Sequence, residues 1–345
     1  VNQAFYNLQF YENHFKTMAP AFCHKRPGGG WFRIPRDEIL MGPQYKDYQI
    51  CNPSMIDLTQ RGEPGFVMIC CRAVNYRQEK VRIFTSREAD GCMRTKNFTF
   101  EYDLVNQRIV PDSVKPMWTN SWEGPHHQGT LVHGLEDCRI HYDASGAICC
   151  SSTVLEITPD NRPKIVRFRV EDPNDRSITL IPGQPIGGCE KNYLPVNNTD
   201  TWIYGLAQST GMTGSPPTHM IFVDNVTGVS PGLNGDRTVL DLRGSSGPVD
   251  VSPYVGPESD GHWLVLYHAV CDRPEYRFYY QKFIVFRKDW TLHSQSDVFV
   301  FKGLQVEMAT GVVIHEGILY ISLGIEDEEA HMLELDIVKV LQRCT

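Results

Sequence analysis

The feature that most limits the fold of this 345-residue chain is a rhythm of short segments rich in β-branched and aromatic residues. Gly, Pro, Asn or Asp bounds each of them, and almost nothing has helical period. The segments are 65–74, 80–85, 98–104, 140–157, 165–170, 201–207, 219–224, 262–270, 276–286, 311–323 and 332–341. Two of them fold back on themselves, at Asp143-Ala144-Ser145-Gly146 and at His315-Glu316-Gly317. The 22 prolines and 28 glycines fall mostly between the runs. Strands at this density without crossover helices predict an all-β sandwich, barrel or propeller.

A weak internal repeat narrows the choice. Turn, apolar strand, tight turn and second apolar strand recur near 52–85, 134–157, 191–224, 247–286 and 311–341. A period of about 70 residues suits four-stranded blades, so a five-bladed β-propeller is expected. No linker marks a second domain, so 1–345 reads as a single domain. Its opening stretch, about 1–45, carries Phe5, Phe10 and Phe15 and reads as an extension packed on the propeller.

Charge excludes some functions. With 21% charged residues and a formal net charge of -8, the chain has no global basic field for nucleic acid. No run approaches the roughly 18 apolar residues of a membrane helix, and no signal pattern opens the sequence. The eleven cysteines include two adjacent pairs, Cys70-Cys71 and Cys149-Cys150. Neighbours in a strand point to opposite faces, which does not suit a disulfide framework, and no CxxC spacing suggests zinc. An intracellular, reducing compartment is expected, with no metal and no cofactor.

Several stretches carry chemistry. In Gly134-Leu135-Glu136-Asp137-Cys138-Arg139-Ile140, two carboxylates stand at the mouth of a strand. Buried carboxylates are expensive, so these are either solvated or held by a cation and put to use. Strand alternation sends Glu136 and Asp137 to opposite faces and Asp137 and Arg139 to the same one, which would set a guanidinium beside Asp137. A strand-end ion pair with no chemistry remains the alternative. Cys23–Trp31 joins three cations to a glycine run that could present N–H groups to phosphate, but it has neither nucleotide-binding fingerprint. Gly124-Pro125-His126-His127-Gln128 lacks a further ligand at metal spacing. Polar groups also stand at strand ends in every proposed blade, where a propeller's channel would gather them.

The order of these pieces resembles the mannoside phosphorylases and hydrolases of glycoside hydrolase family 130, and especially their trypanosomatid branch of dual mannosyltransferase–phosphorylases. The matching stretches are CNPSM (51–55), ICCRAVNY (69–76), GLEDCRI (134–140), EKNYLPV (190–196), SGPVDV (246–251), LYHAV (266–270) and LGIEDEE (323–329). The resemblance implies a five-bladed propeller in which Asp137 is the catalytic acid/base. It places Asn52, Arg72 and Asp327 around the donor-subsite mannose, and Lys191 and His268 around phosphate. Glu136, Arg139, Asn192 and Tyr267 lie in the same motifs and are carried as substrate-binding candidates. The chain departs from the pattern at Cys138, at Val249-Asp250 and at Ala269. The family's phosphate-binding arginines have no clear counterpart, and Lys164, Arg167 and Arg169 are the nearby cations. The implied activity is inverting mannosyl transfer from GDP-mannose or mannose 1-phosphate to mannose or a β-1,2-oligomannose acceptor. In that family the proton is thought to travel through the 3-hydroxyl of the donor-subsite mannose. A β-mannoside hydrolase and a non-catalytic glycan-binding propeller are the alternatives.

Overall fold

The computed structural model describes residues 30–345 except 81–82, 123, 125–129, 173–174, 185–188, 205–219, 222, 224–227, 232–236, 241, 257–260 and 273–276. The glycine-rich loop before Trp31, the three phenylalanines near the N-terminus and most of the Gly124–Gln128 stretch lie outside these residues.

Five sheets form the blades of a propeller. From the inside outwards, blade 1 runs Gln49–Asp57, Phe66–Val74, Thr95–Asp103 and Arg108–Ile109. Blade 2 runs Glu136–Tyr142, Ile148–Val154, Lys164–Arg169 and Thr179–Leu180, and blade 3 Leu194–Pro195, Trp202–Ile203 and Met220–Ile221. Blade 4 runs Leu242–Asp250, His262–Asp272, Arg277–Arg287 and Leu292–Gln295. Blade 5 begins Glu307–His315, Ile318–Ile325, Glu329–Asp336. Its fourth strand is Trp31–Arg33 from the other end of the sequence, with Trp31 opposite Leu333 and Arg33 opposite His331. Residues 31–33 are therefore part of the ring itself. The inner strands pack around a closed circuit, blade 1 meeting blades 2 and 5, and blade 3 meeting blades 2 and 4.

Middle strands are sandwiched between neighbouring blades and so are buried on both faces, which is why they read as unbroken apolar runs. In Phe66–Val74 every residue after the first is buried. Cys71 and Ala73 join Phe98 and Tyr320 in the layer between blades 5 and 1, while Cys70 and Met68 join Ile140 and Phe168 between blades 1 and 2. A third layer gathers Tyr267, Phe286 and Leu323 from blades 4 and 5. Each large apolar side chain so buried contributes about 1.5–3 kcal/mol, so the stability of the ring resides in these layers and not in the channel.

Two expectations change on inspection. Asn52-Pro53-Ser54 and Gly247-Pro248-Val249-Asp250, whose Pro, Gly and polar residues suit turns at strand ends, lie inside the inner strands of blades 1 and 4. Their small and polar residues meet neighbouring inner strands, Asn52 reaching Asp137, Ser54 reaching Cys138 and Gly247 lying against Pro195, so the period-2 apolar pattern is missing there. The last apolar run, 332–341, is not strand throughout. Strand pairing ends at Asp336, whose carboxylate accepts from the Val338 and Lys339 N–H groups and caps the helix Ile337–Leu341.

Candidate active site

The inner strands of blades 1, 2, 4 and 5 are each interrupted by a register shift. At two of these irregularities the backbone enters the left-handed region, at Asn52 (φ 45°) and Asp137 (φ 51°), and it does so again before the blade 3 inner strand at Asn192 (φ 62°) and in a blade 5 turn at Asp327 (φ 54°). Bulges of this kind re-aim side chains, and non-glycine residues held at positive φ concentrate at functional sites. All four were site candidates from the sequence. Three of them come from separate blades, and Asn192 stands at the entry to blade 3.

Arg72, 4% exposed on the second strand of blade 1, is the hub. Its Nη1 donates to Asp137 Oδ1 at 2.8 Å, its Nη2 lies 3.3 Å from Glu136 Oε2, and its Nε donates to Thr95 Oγ1 at 3.0 Å. Nη2 also donates to the Tyr76 hydroxyl. The Asn52 amide donates to the same Asp137 Oδ1 at 2.9 Å. Asp137 is thus clamped from blade 1 through one oxygen.

This corrects the alternation expected for Glu136, Asp137 and Arg139. With Asp137 in the left-handed region and the strand bulged between Ser151 and Thr153, both adjacent carboxylates meet one guanidinium. That guanidinium belongs to Arg72, not Arg139. Arg139, 3% exposed, instead reaches across the channel, with Nε donating to Ser245 O at 3.0 Å and Nη2 to Gly244 O at 3.2 Å. It also donates to Asn192 Oδ1 at 3.3 Å and to the main-chain oxygen of Asp137 at 3.2 Å. It staples blades 2 and 4 and touches Asp137 only through the backbone.

Electrostatics separates the two aspartates. Burial alone would raise Asp137, but the Arg72 and Arg139 charges, the Asn52 hydrogen bond and Lys191 outweigh it and hold Asp137 at about 2. Asp327 moves the other way: burial raises it, Asp137 and Glu136 add to the rise, and Arg72 opposes it. Its turn is fastened by Glu326, whose Oε1 accepts from the Gln305 and Val306 N–H groups at 2.8 and 3.1 Å. Carboxyls pushed apart in this way can take different roles.

His268 stands on the second strand of blade 4, its Nδ1 2.9 Å from Ser245 Oγ and its ring stacked on Tyr279 at 5.4 Å. Burial, reinforced by Arg139 and Arg243, pushes it down to about 3, so it is neutral at physiological pH. Tyr267 does not belong to the site. Strand alternation turns it away from His268 into the apolar layer, where it is fully buried.

Lys191 is exposed and forms no ion pair with any described residue, yet its charge is felt at Asp137. The nearby cations named from the sequence are placed elsewhere. Lys164, Arg167 and Arg169 sit on the third strand of blade 2, where Arg167 and Arg169 pair with Asp143, Asp200 and Asp172. Sequence reasoning missed four groups: Tyr76, which meets Arg72; Tyr279, under His268; Arg243, opposite His268 in the strand register; and Arg277, bonded to Tyr279. A signal for Arg243 existed, since it precedes the inner-strand Gly244 at a blade entry.

A buried arginine from one blade that holds two adjacent carboxylates of the next is the polar centre of this propeller. No family model matches the sequence, and no curated protein matches it. Solved structures do match in fold. The β-1,2-mannobiose phosphorylase from Listeria innocua, in complex with β-1,2-mannobiose, is 12% identical with a TM-score of 0.52, covering 91% of this chain and 98% of that one. A Parabacteroides distasonis protein described as a glycoside hydrolase is 14% identical with a TM-score of 0.50, covering 92% and 98%. The chain has the five-bladed fold of these proteins.

Proposed function

We propose that this protein is an inverting mannosyl-transfer enzyme that elongates β-1,2-linked mannan oligosaccharides from mannose 1-phosphate or GDP-mannose. The observation that carries the reading is the Asp137 carboxylate, held ionised by Arg72 and clamped by Asn52 where three blades converge. The sequence resemblance and the shared fold of a β-1,2-mannobiose phosphorylase support it.

In this reading Asp137 is the base. It takes the acceptor hydroxyl's proton, directly or through a hydroxyl of the donor mannose, and the freed oxygen attacks the anomeric carbon from the face opposite phosphate. The bond to phosphate breaks with its electron pair on the departing phosphate oxygen, converting an α linkage into a β one. The phosphate leaves without strong protonation, so one positioned base suffices. In this reading Lys191, Arg243 and Arg277 are the cations that meet its charge. Asn52, Arg72 and Asp327 hold mannose. A donor phosphate near Lys191 would also offset one of the charges that depress Asp137, strengthening the base as the complex forms.

Asp327 favours a second reading. An inverting hydrolase pairs a carboxylic acid of raised pKa with an ionised carboxylate base, and Asp327, raised by burial and by the Asp137 and Glu136 charges, is the candidate for the acid. One experiment separates the readings: incubation with mannose plus each donor, followed by incubation with β-1,2-mannobiose with and without phosphate. Oligomannose ladders with released phosphate or GDP support transfer. Mannose released from mannobiose without phosphate supports hydrolysis, and silence in every arm leaves a glycan-binding propeller.

A further inference from the structure

Behind the catalytic strand, away from the channel, three cysteines converge from three strands of two blades. Cys70 lies on the second strand of blade 1, Cys138 on the inner strand of blade 2 and Cys150 on its second strand. Their sulfurs all lie within 4.8 Å of one another, and the residues are 1%, 2% and 0% exposed. A fourth sulfur joins them, Met117 Sδ at 3.5 Å from Cys70 Sγ, itself buried. The surrounding layer is apolar, with Ile56, Leu135 and Ile140 among its members.

We propose that Cys70, Cys138 and Cys150 bind a soft monovalent metal ion of the copper(I) class, with the Met117 thioether as a fourth, weaker donor. At a metal–thiolate distance of about 2.3 Å, three sulfurs around one ion stand about 4 Å apart. The observed cluster needs little contraction to reach that. Thiolate and thioether ligands select soft ions. Structural zinc is four-coordinate and takes thiolate, imidazole or carboxylate; here the fourth corner offers only a thioether. The site is invisible to spacing rules because its ligands come from positions 70, 138 and 150, joined by the contact of two blades. Cys138 follows Asp137, and its carbonyl accepts from Ser54 Oγ at 2.6 Å, so the bound ion would brace the strand that presents the base.

The test is metal analysis of the full chain produced in copper-supplemented cells and purified without oxygen. About one copper per chain is expected, with X-ray absorption showing three sulfurs at about 2.3 Å. Cys70→Ala and Cys150→Ala should each lose the copper, whereas Cys189→Ala, at an exposed cysteine, should keep it. Copper below about a tenth per chain overturns the proposal. So does zinc in its place, nitrogen or oxygen coordination, or copper retained in Cys70→Ala. If the cysteine variants fail to fold, the stoichiometry and absorption spectrum of the unaltered chain decide.

Discussion

Replacing Asp137 by Asn isolates basicity from shape. The Asn side chain keeps the oxygen that accepts from Asn52 and Arg72, and Arg72 retains Glu136, Thr95 and Tyr76. Asp137 is depressed from its ordinary 3.8 to about 2. A depressed carboxylate stabilises the fold above its unfolded pKa and loses that contribution as pH falls from about 4 to 2. The shift corresponds to about 2 kcal/mol, the most that the Asn variant should lose at neutral pH. For a chain this large that is a fall of a few degrees in Tm. Relief of repulsion among Glu136, Asp137 and Asp327 reduces it further. The rate should drop by about 10²–10⁴, the worth of a positioned general base. Turnover of mannose with each donor and the thermal midpoint are measured on one preparation. A folded variant with near wild-type turnover refutes the mechanism. Collapse of the fold with turnover per folded molecule intact shows that Asp137 is a structural ion-pair member.

The same geometry sets other expected outcomes. Arg72→Lys cannot reach Asp137, Glu136, Thr95 and Tyr76 at once, so activity should fall at least about 10²-fold with a fold that still melts cooperatively; near-normal turnover would show that the fork is dispensable. A Cβ at Gly324 would stand 2.0 Å from Asn52 Oδ1 and 2.6 Å from its backbone nitrogen. Gly324→Ala should therefore displace the clamp on Asp137 and cost about 1–3 kcal/mol from overpacking, and unchanged kinetics would contradict this close approach. Lys191→Ala should weaken use of a phosphorylated donor by about 1.5–3 kcal/mol for each charge-assisted hydrogen bond it removes, a KM and kcat comparison of both donors being the check. His268 and His141, pushed by burial to about 3 and about 4, stay neutral in the fold while the unfolded chain takes up protons below about 6.5. Stability should therefore fall between pH 7 and 5 by on the order of 1–2 kcal/mol for each histidine, and a flat melting profile there would count against their burial.

Much of the blade pattern was legible because the middle strands are sandwiched: Phe66–Val74, His262–Asp272 and Ile318–Ile325 announce themselves as apolar runs. The inner strands of blades 1 and 4 were not, since Asn52-Pro53-Ser54 and Ser245-Ser246-Gly247 are small and polar and look like turns. The site residues could be named from motifs, but their partners could not. Alternation predicts Arg139 beside Asp137 only if the strand is regular, and the left-handed Asp137 breaks that rule. Arg72 could be placed on a strand, yet nothing local shows that it meets a carboxylate 65 positions away. The three converging cysteines escape for the same reason, being brought together by blade contact alone. No helix among the described residues is long and apolar enough to cross a membrane.

The fastening of blade 5 has a consequence for how the protein comes into being. Trp31 bonds to His331 across 300 positions, so the strand made early must wait for the strand made late. Contacts so far apart in sequence form slowly, and the unfinished ring keeps apolar layers open to wrong partners meanwhile. The buried charged cluster draws Arg72 from the first blade, Asp137 from the second and Asp327 from the last. A chain interrupted anywhere before the final blade therefore holds Asp137 and Arg72 without Asp327 beside them, and the cluster is complete only when the circle shuts.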